Sequence, residues 1–316
     1  MSLAAVSVDL DSLVHYCRIH GLPDATLDPR AKDLVYRVAV PRFLELFARA
    51  NLPSTLFAIG ADLDDSALAR DTLRQAHLAG VEIGNHSQTH DYGLARRDPA
   101  RILADVTGGA DAIARATGAR PRGFRAPGYT LSAPLYAAIG ESGHLYDSSA
   151  FPATPYYLAK AAVMGGLWAV RRPSRAVLDS PRVLTAPRDP YWPDPAAPYS
   201  RGRGTVLELP VTTTPYTGFP FIGTFVATLP RGVIRTAYRL LRGVPLLNFE
   251  LHAVDLLDEA DGIPRALARA QRDLQVPQAL KAARVSEVLR WIQGEFQTVT
   301  LEKAAQRLSE ATRPVV

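Results

Sequence analysis

Apolar and polar positions alternate through Val6-Ser7-Val8-Asp9-Leu10-Asp11, the pattern of a strand with Asp9 and Asp11 on one face and Val8 and Leu10 on the other. The spacing then changes. Residues 12–28 fit neither a strand nor a helix period and, with Gly21 and Pro23 inside them, predict a loop over the strand's end. From Pro29 an apolar stripe of Leu34, Val38, Phe43, Leu46 and Phe47 predicts a helix, kinked or broken at Pro41. Residues 55–60 read as a second buried strand. Asp64-Asp65-Ser66 opens a helix to about Ala79, Gly80 stops it, and Val81 starts a third strand.

The alternation continues with a helix over 99–117 closed by Gly118, a strand over 123–125, a helix over 132–142 and a brief strand over 145–147. Later strands fall at 206–209, at 246–251 ending on His252, and at 297–299, with helices near 277–293 and from 301 onward. Repeated strand, helix, strand spacing implies parallel strands joined by crossover helices, and more than five such units favour a barrel over an open sheet. No glycine-rich phosphate loop follows the first strand, and polar residues sit at the C-terminal ends of several strands, where barrel enzymes keep their chemistry. The reading is one domain over 1–316.

Two stretches break the pattern. Residues 171–204 hold seven prolines and seven arginines, too many for a helix or central strand, and predict a functional lid or a mobile insertion. Residues 209–229 carry no charge, but Pro210, Pro215, Gly218, Pro220 and Gly223 exclude a spanning helix. Two readings fit Tyr216, Phe219, Phe221 and Phe225 in that segment and the apolar patch of Tyr156, Tyr157, Leu158, Met164, Leu167 and Trp168. Either they line the barrel or a subunit interface, or, with Arg231, Arg235 and Arg239 four apart on one helical face, they meet an anionic membrane surface peripherally.

Composition narrows the class. A chain of 316 residues with 47% hydrophobic content packs a core and is not disordered. Cys17 is the single cysteine, so there is no internal disulfide framework. The first apolar strand begins within five residues of Met1, leaving no room for a secretory leader, and a cytoplasmic protein is expected. The net charge of +5 comes almost wholly from arginine without basic clusters interleaved with stacking aromatics, so no nucleic-acid partner is expected.

The candidate chemistry lies at two strand ends. In Val81-Glu82-Ile83-Gly84-Asn85-His86-Ser87-Gln88-Thr89-His90, a helical turn after Gly84 would put both imidazoles on one face, close enough to hold one metal ion. Asp9 and Asp11, two carboxylates on one side of an apolar strand, need a cation nearby. Two imidazoles and one carboxylate suit zinc, and also accept cobalt, nickel or manganese; the other carboxylate is then free for proton transfer. Either motif alone is commonly a cap or a buried hydrogen-bonded pair; together at separate strand ends they become a site. His252, at the end of an apolar strand, joins the same rim. His15, His20, His77 and His144 are left to solvent or local hydrogen bonds.

These residues resemble the polysaccharide deacetylases of the NodB-homology type, carbohydrate esterase family four, and their allantoinase-like relatives. The likeness rests on Glu82 to His90 with its His-Ser-x-x-His motif, on Asp9 and Asp11, on Arg125-Ala126-Pro127-Gly128-Tyr129, on Leu251-His252, and on Tyr146-Asp147-Ser148-Ser149. The resemblance implies an irregular (β/α)7 barrel related to the TIM barrel and a hydrolase acting on non-peptide carbon–nitrogen bonds. Its substrate would be an N-acyl, chiefly N-acetyl, amino sugar or small related amide.

By the same resemblance Asp11, His86 and His90 are the ligands of one divalent ion, zinc by default, Asp9 the general base, His252 the general acid, and Arg125 the partner that keeps Asp9 ionised. Gly128 and Tyr129 fall at the oxyanion side. The family's aspartates are adjacent, whereas Leu10 separates them here, so ligand and base stay exchangeable between Asp9 and Asp11. The carboxylate that orients the acid histidine is Asp255 or Asp194. Competing functions are a lipid-linked amino-sugar deformylase, a cofactor-free allantoinase-like amidohydrolase and a catalytically silent binding protein. Oligomeric state is not legible.

Overall fold

The computed structural model describes residues 2–169 and 177–312. Parallel strands β1 (Leu3–Asp9), β2 (Ser54–Ala58), β3 (Glu82–Asn85), β4 (Gly123–Phe124) and β5 (Tyr146–Asp147) pair in that order. Beyond a small antiparallel hairpin of β6 (Pro193–Asp194) and β7 (Ala197–Arg201), β8 (Leu207–Glu208) pairs with β5. On the other side of β1 lies β9 (Leu246–His252), with Asp9 opposite His252, and β10 (Gln297–Thr298) pairs with the foot of β1. The wall closes without a ladder between β8 and β9. There Thr212 N donates to Asn248 O at 3.1 Å, and the Asn248 amide donates to Leu209 O at 3.0 Å and Ser148 Oγ at 2.9 Å. Seven strands thus form the irregular (β/α)7 barrel, with β10 added at its base.

Period-two alternation assigns each strand residue a side. Val6, Val8 and Leu10 of the β1 segment, with Leu247, Phe249 and Leu251 of β9, pack outward against the helices. Leu3, Ala5, Phe57, Tyr146, Leu207 and Leu246 fill the lower lumen, closed beneath by Leu301, Ala304 and Ala305 of the last helix. The polar lumen residues Ser7, Asp9, Arg125, Ser148, Asn248 and Glu250 lie above that floor, all buried. Polar side chains at the C-terminal strand ends therefore converge on one mouth.

Several helices follow their local chemistry closely. Asp98 accepts from Arg101 N at 3.0 Å, Pro99 takes the first helical position, and Gly118 ends Pro99–Thr117 at φ 83°. Pro41 has no N–H for the carbonyl four residues back; a π-turn over Val35–Ala39 precedes it, and the helix Val40–Arg49 starts afresh there.

One expectation is corrected and two stretches gain definite structure. Residues 12–28 are not a loop: they form a helix, Leu13–Ile19, and a 3₁₀ turn, Asp24–Thr26, because the helix lays Leu13, Tyr16 and Cys17 into the core. The patch around Tyr156 to Trp168 is a helix, Thr154–Ala169, with Leu158 and Val163 exposed; the side chains of Leu167 and Trp168 lie outside the described residues. In the 171–204 insertion, 171–176 lie outside the described residues, and 177–204 are anchored rather than free. Tyr199 Oη accepts from Leu131 N at 2.8 Å, and Tyr191 N donates to Glu208 O at 3.1 Å.

The uncharged segment 209–229 divides. Phe221 enters the core against Phe249, ring centroids 5.5 Å apart, while Tyr216 turns out at 98% exposure with φ 67°. Among the described residues no helix is long and apolar enough to cross a membrane.

Candidate functional site

The turn after β3 is not helical, which corrects the one-face expectation for His86 and His90. Ser87 at φ 68° and His90 at φ 53° take left-handed backbone, stabilised by a lattice of local bonds. Asn85 Oδ1 accepts from Ser87 N at 3.0 Å, Ser87 Oγ accepts from His90 N at 3.0 Å, and Asp105 accepts from the N–H groups of Gln88 and Thr89. The helix Pro99–Thr117 comes so near that a Cβ on Gly109 would overlap Asn85 Oδ1 and the Ser87 carbonyl carbon. Only glycine fits that helical position.

This turn delivers both imidazoles to Asp11. His86 Nε2 lies 3.2 Å and His90 Nε2 3.0 Å from Asp11 Oδ1. His86 Nδ1 lies 2.7 Å from Arg125 O, to which it donates its proton, so Nε2 is the nitrogen that faces the cluster. Asp11 Oδ1 and His90 Nε2 are buried without a hydrogen-bond partner, and the three groups converge within the span of one ion's coordination shell. Burial pushes the Asp11 carboxyl up, but His90 and His86 outweigh it and hold it well below the usual carboxylate range. Burial pushes the His90 imidazole down toward its neutral, ligating form. These donors fit one divalent ion. His15, expected at solvent or in local hydrogen bonds, is buried, its ring centroid 4.3 Å from that of His90 and tilted to it as a wall of the cluster.

The two aspartates part ways here. Asp9 is bound by Arg125: Nη1 lies 2.6 Å from Asp9 Oδ1 and 2.9 Å from Ser7 Oγ. The rest of the guanidinium is equally fixed, with Nε donating to Ser148 O at 3.0 Å, Nη2 to Ser148 Oγ at 2.8 Å, and Cζ 4.2 Å from the centroid of the Phe57 ring. Tyr146-Asp147-Ser148-Ser149 is thus a cradle for Arg125; Asp147 Oδ1 in turn accepts from Ser148 N at 2.9 Å and Ser149 Oγ at 2.5 Å. The free oxygen, Asp9 Oδ2, lies 4.0 Å from His86 Nε2, at the edge of the ligand cluster.

Across the mouth stands His252. Its Nδ1 lies 2.9 Å from Glu250 Oε1, off the hydrogen-bond axis but in ion-pair contact, and its Nε2 lies 3.1 Å from Tyr129 Oη. Burial lowers the imidazole's proton affinity, but the wholly buried Glu250 carboxylate more than offsets it and lifts His252 well above its ordinary value. Both expected orienting carboxylates are corrected. Asp255 Oδ2 accepts from the His252 backbone N–H at 2.9 Å, not from the ring, and Asp194 serves its own hairpin turn through Ala196 N. Glu250 was legible: Asn248, Glu250 and His252 recur at period two on the lumen face of an otherwise apolar strand.

One cavity of about 290 Å³ exposes these groups together, lined by Asp9, Asp11, His86, His252, Gly128 and Tyr129 and walled by Tyr92, Phe151, Tyr156 and Phe225. Gly128 (φ 67°) and Tyr129 (φ 61°) are both left-handed, and a Cβ at Gly128 would press on the Tyr92 ring at 2.8 Å.

Residues 32–145 match the family model for polysaccharide deacetylase. A peptidoglycan deacetylase of Helicobacter pylori is 27% identical over 161 residues, covering 49% of this chain and 53% of that protein. The match thus spans about half the length of that relative. Among solved structures, a Mycobacterium smegmatis protein assigned to the polysaccharide deacetylases superposes at TM-score 0.62 with 17% identity, covering 100% of this chain and 93% of its own. PuuE allantoinase superposes at 0.60 with 16% identity, covering 99% and 92%. At those identities the superpositions establish the barrel.

Proposed function

We propose that this chain, a relative of the polysaccharide deacetylases by its matched segment and its barrel, hydrolyses the N-acyl amide of an amino sugar or related small amide at one divalent-metal centre. The observation that carries this is the division around a single cavity: Asp11, His86 and His90 converge as one cluster, while Asp9 is held by Arg125 at its edge and His252 is paired with Glu250 across the mouth. When bound by Asp11, His86 and His90, the ion supplies Lewis-acid polarisation of the acyl oxygen and eases deprotonation of water.

This chain's own residues handle the protons. Asp9 Oδ2, the oxygen that Arg125 leaves open, accepts a proton from the attacking water, while the fixed guanidinium holds the other oxygen in place. His252, held protonated by Glu250, gives its Nε2 proton to the departing nitrogen, since an amine leaves poorly as an anion. Tyr129 Oη steadies that Nε2. Asp9, Glu250 and His252 also converge, but Arg125 already places a fixed cation 2.6 Å from Asp9, which favours proton transfer over a second ion there.

Elemental analysis with an activity screen tests this reading. The purified protein is expected to retain about one divalent ion, His86→Ala to lose most of it, and N-acetyl amino sugars, N-formyl amino sugars or ureides to be hydrolysed until chelator is added. Equal metal in both proteins removes His86 from the ligand set, and turnover that survives exhaustive chelation sinks the metal centre and favours a cofactor-free amidohydrolase.

A peripheral lipid surface as the place of presentation is a finer proposal. It rests on the exposed Tyr216, Val233 and Leu240 around an apolar groove with Phe219 and Pro155, beside Arg235 and Arg239; Arg231 is paired with Glu287. The protein should sediment with anionic liposomes at low salt and less at moderate salt; no sedimentation at either excludes it.

A further inference from the structure

The cavity has a cation that the reaction does not use. Lys160, on the helix Thr154–Ala169, is the one lysine or arginine among the described residues that line it. Among those residues its Nζ makes no hydrogen bond and no ion pair. Its nearest polarisable neighbour is the Tyr156 ring, one helical turn back, with Nζ 5.7 Å from the centroid. Asp179 attracts it from beyond ion-pair distance, and that carboxylate is already engaged, accepting from Tyr199 Oη and from Ser180 N at 2.6 Å. Lys160 is half-buried at the cavity wall, and that burial pushes its ammonium down. The fully buried Lys281 shows the contrast: its Nζ donates to Val254 O at 2.7 Å, to Asp273 O at 3.0 Å and to Leu257 O.

The position of this free ammonium defines a polarity along the cavity. At the floor are the carboxylates Asp9 and Asp11, each already facing a cation or imidazole of the chain. Between floor and Lys160 stands an aromatic wall, with Tyr129 5.1 Å from Phe151 and Phe151 5.4 Å from Tyr156, centroid to centroid. Such a wall suits the apolar face of a sugar ring. A ligand with its acyl group at the floor and its ring on the aromatics has its far substituent at Lys160. We propose that Lys160 determines specificity by holding an anionic substituent, a carboxylate or a phosphate, on the acylated sugar. This rests on the acyl-sugar reading above for where the ring lies, not for the anion contact.

The test pairs binding with turnover on three probes: neutral N-acetylglucosamine, N-acetylmuramic acid for carboxylate, and N-acetylglucosamine 1-phosphate for phosphate. Calorimetry on the metal-loaded full chain should show wild type preferring at least one anionic probe. Lys160→Gln should weaken that probe roughly tenfold to a hundredfold, the usual worth of a hydrogen bond to a charged group, and leave the neutral sugar unchanged. The loss should fall on KM, with kcat within about twofold, and Lys160→Arg should restore most of it. Which probe is lost names the anion. Anionic binding that depends on Lys160 without any deacylation leaves this inference standing and removes the deacylase reading. Deacylation of all three probes with no preference, equal weakening of charged and neutral sugars in Lys160→Gln, or no binding of either anionic probe overturns it.

Discussion

Asp9→Asn is expected to lower kcat by about two to four powers of ten while the bound metal stays in place. The amide keeps an oxygen for Arg125 Nη1, now 2.6 Å from Asp9 Oδ1, but it has no lone-pair charge with which to take a proton from water. Because Asp11, not Asp9, lies 3.2 Å and 3.0 Å from the two imidazoles, the ligand cluster itself is untouched. The paired measurements are elemental analysis and steady-state kinetics on protein whose melting transition confirms folding. Full activity removes Asp9 from the reaction. Lost metal exchanges the roles of Asp9 and Asp11, the alternative that Leu10 between them left open in the sequence.

What could be read from sequence was what local chemistry dictates. Pro99–Thr117 was legible to the residue because its signals, a capping aspartate, an N-terminal proline and a C-terminal glycine, act within one turn of each end. Residues 12–28 were not legible, because their helix is short and is held by tertiary burial of Leu13, Tyr16 and Cys17 rather than by its own period. The helix Thr154–Ala169 was read only as an apolar patch. Its hydrophobic residues run all round, Gly165 and Gly166 are poor helix formers within it, and no polar face marks a period.

The site shows the same division. Identities of the metal-side residues could be read, but their geometry could not: His86 and His90 meet Asp11 through a left-handed turn set by Asn85, Asp105 and the bare backbone of Gly109, residues far apart in sequence. Arg125 could be given a partner but not its four-fold grip, which draws on Ser7 and Ser148 from strands 118 and 23 residues away. The orienting carboxylate was missed for a different reason. Asp255 is near His252 in sequence, whereas a strand keeps one face by steps of two, which leads back to Glu250.

That carboxylate yields the second large effect. His252→Ala should lower kcat by about two to four powers of ten with metal retained, as for loss of a general acid. Glu250→Gln preserves the shape beside Nδ1 but removes the charge that holds His252 well above its ordinary value. The sign follows from which form works. The protonated imidazole is the acid, so activity is full below the folded-state value and is lost as pH rises through it. Without Glu250, burial acts on His252 with less opposition, and the alkaline limb of kcat should move to lower pH. Stability follows the same direction: a raised imidazole contributes fully below the ordinary histidine value of about 6.5 and loses that contribution as pH climbs through the raised value, so stability gained from His252 should vanish at lower pH in Glu250→Gln. A pH–rate profile of the two proteins, each with its metal measured, reads the shift directly, and Glu250→Asp should recover part of it. A purely structural role for Glu250 predicts instead a uniform drop at every pH with the limb unmoved, and that profile would remove Glu250 from the control of the acid.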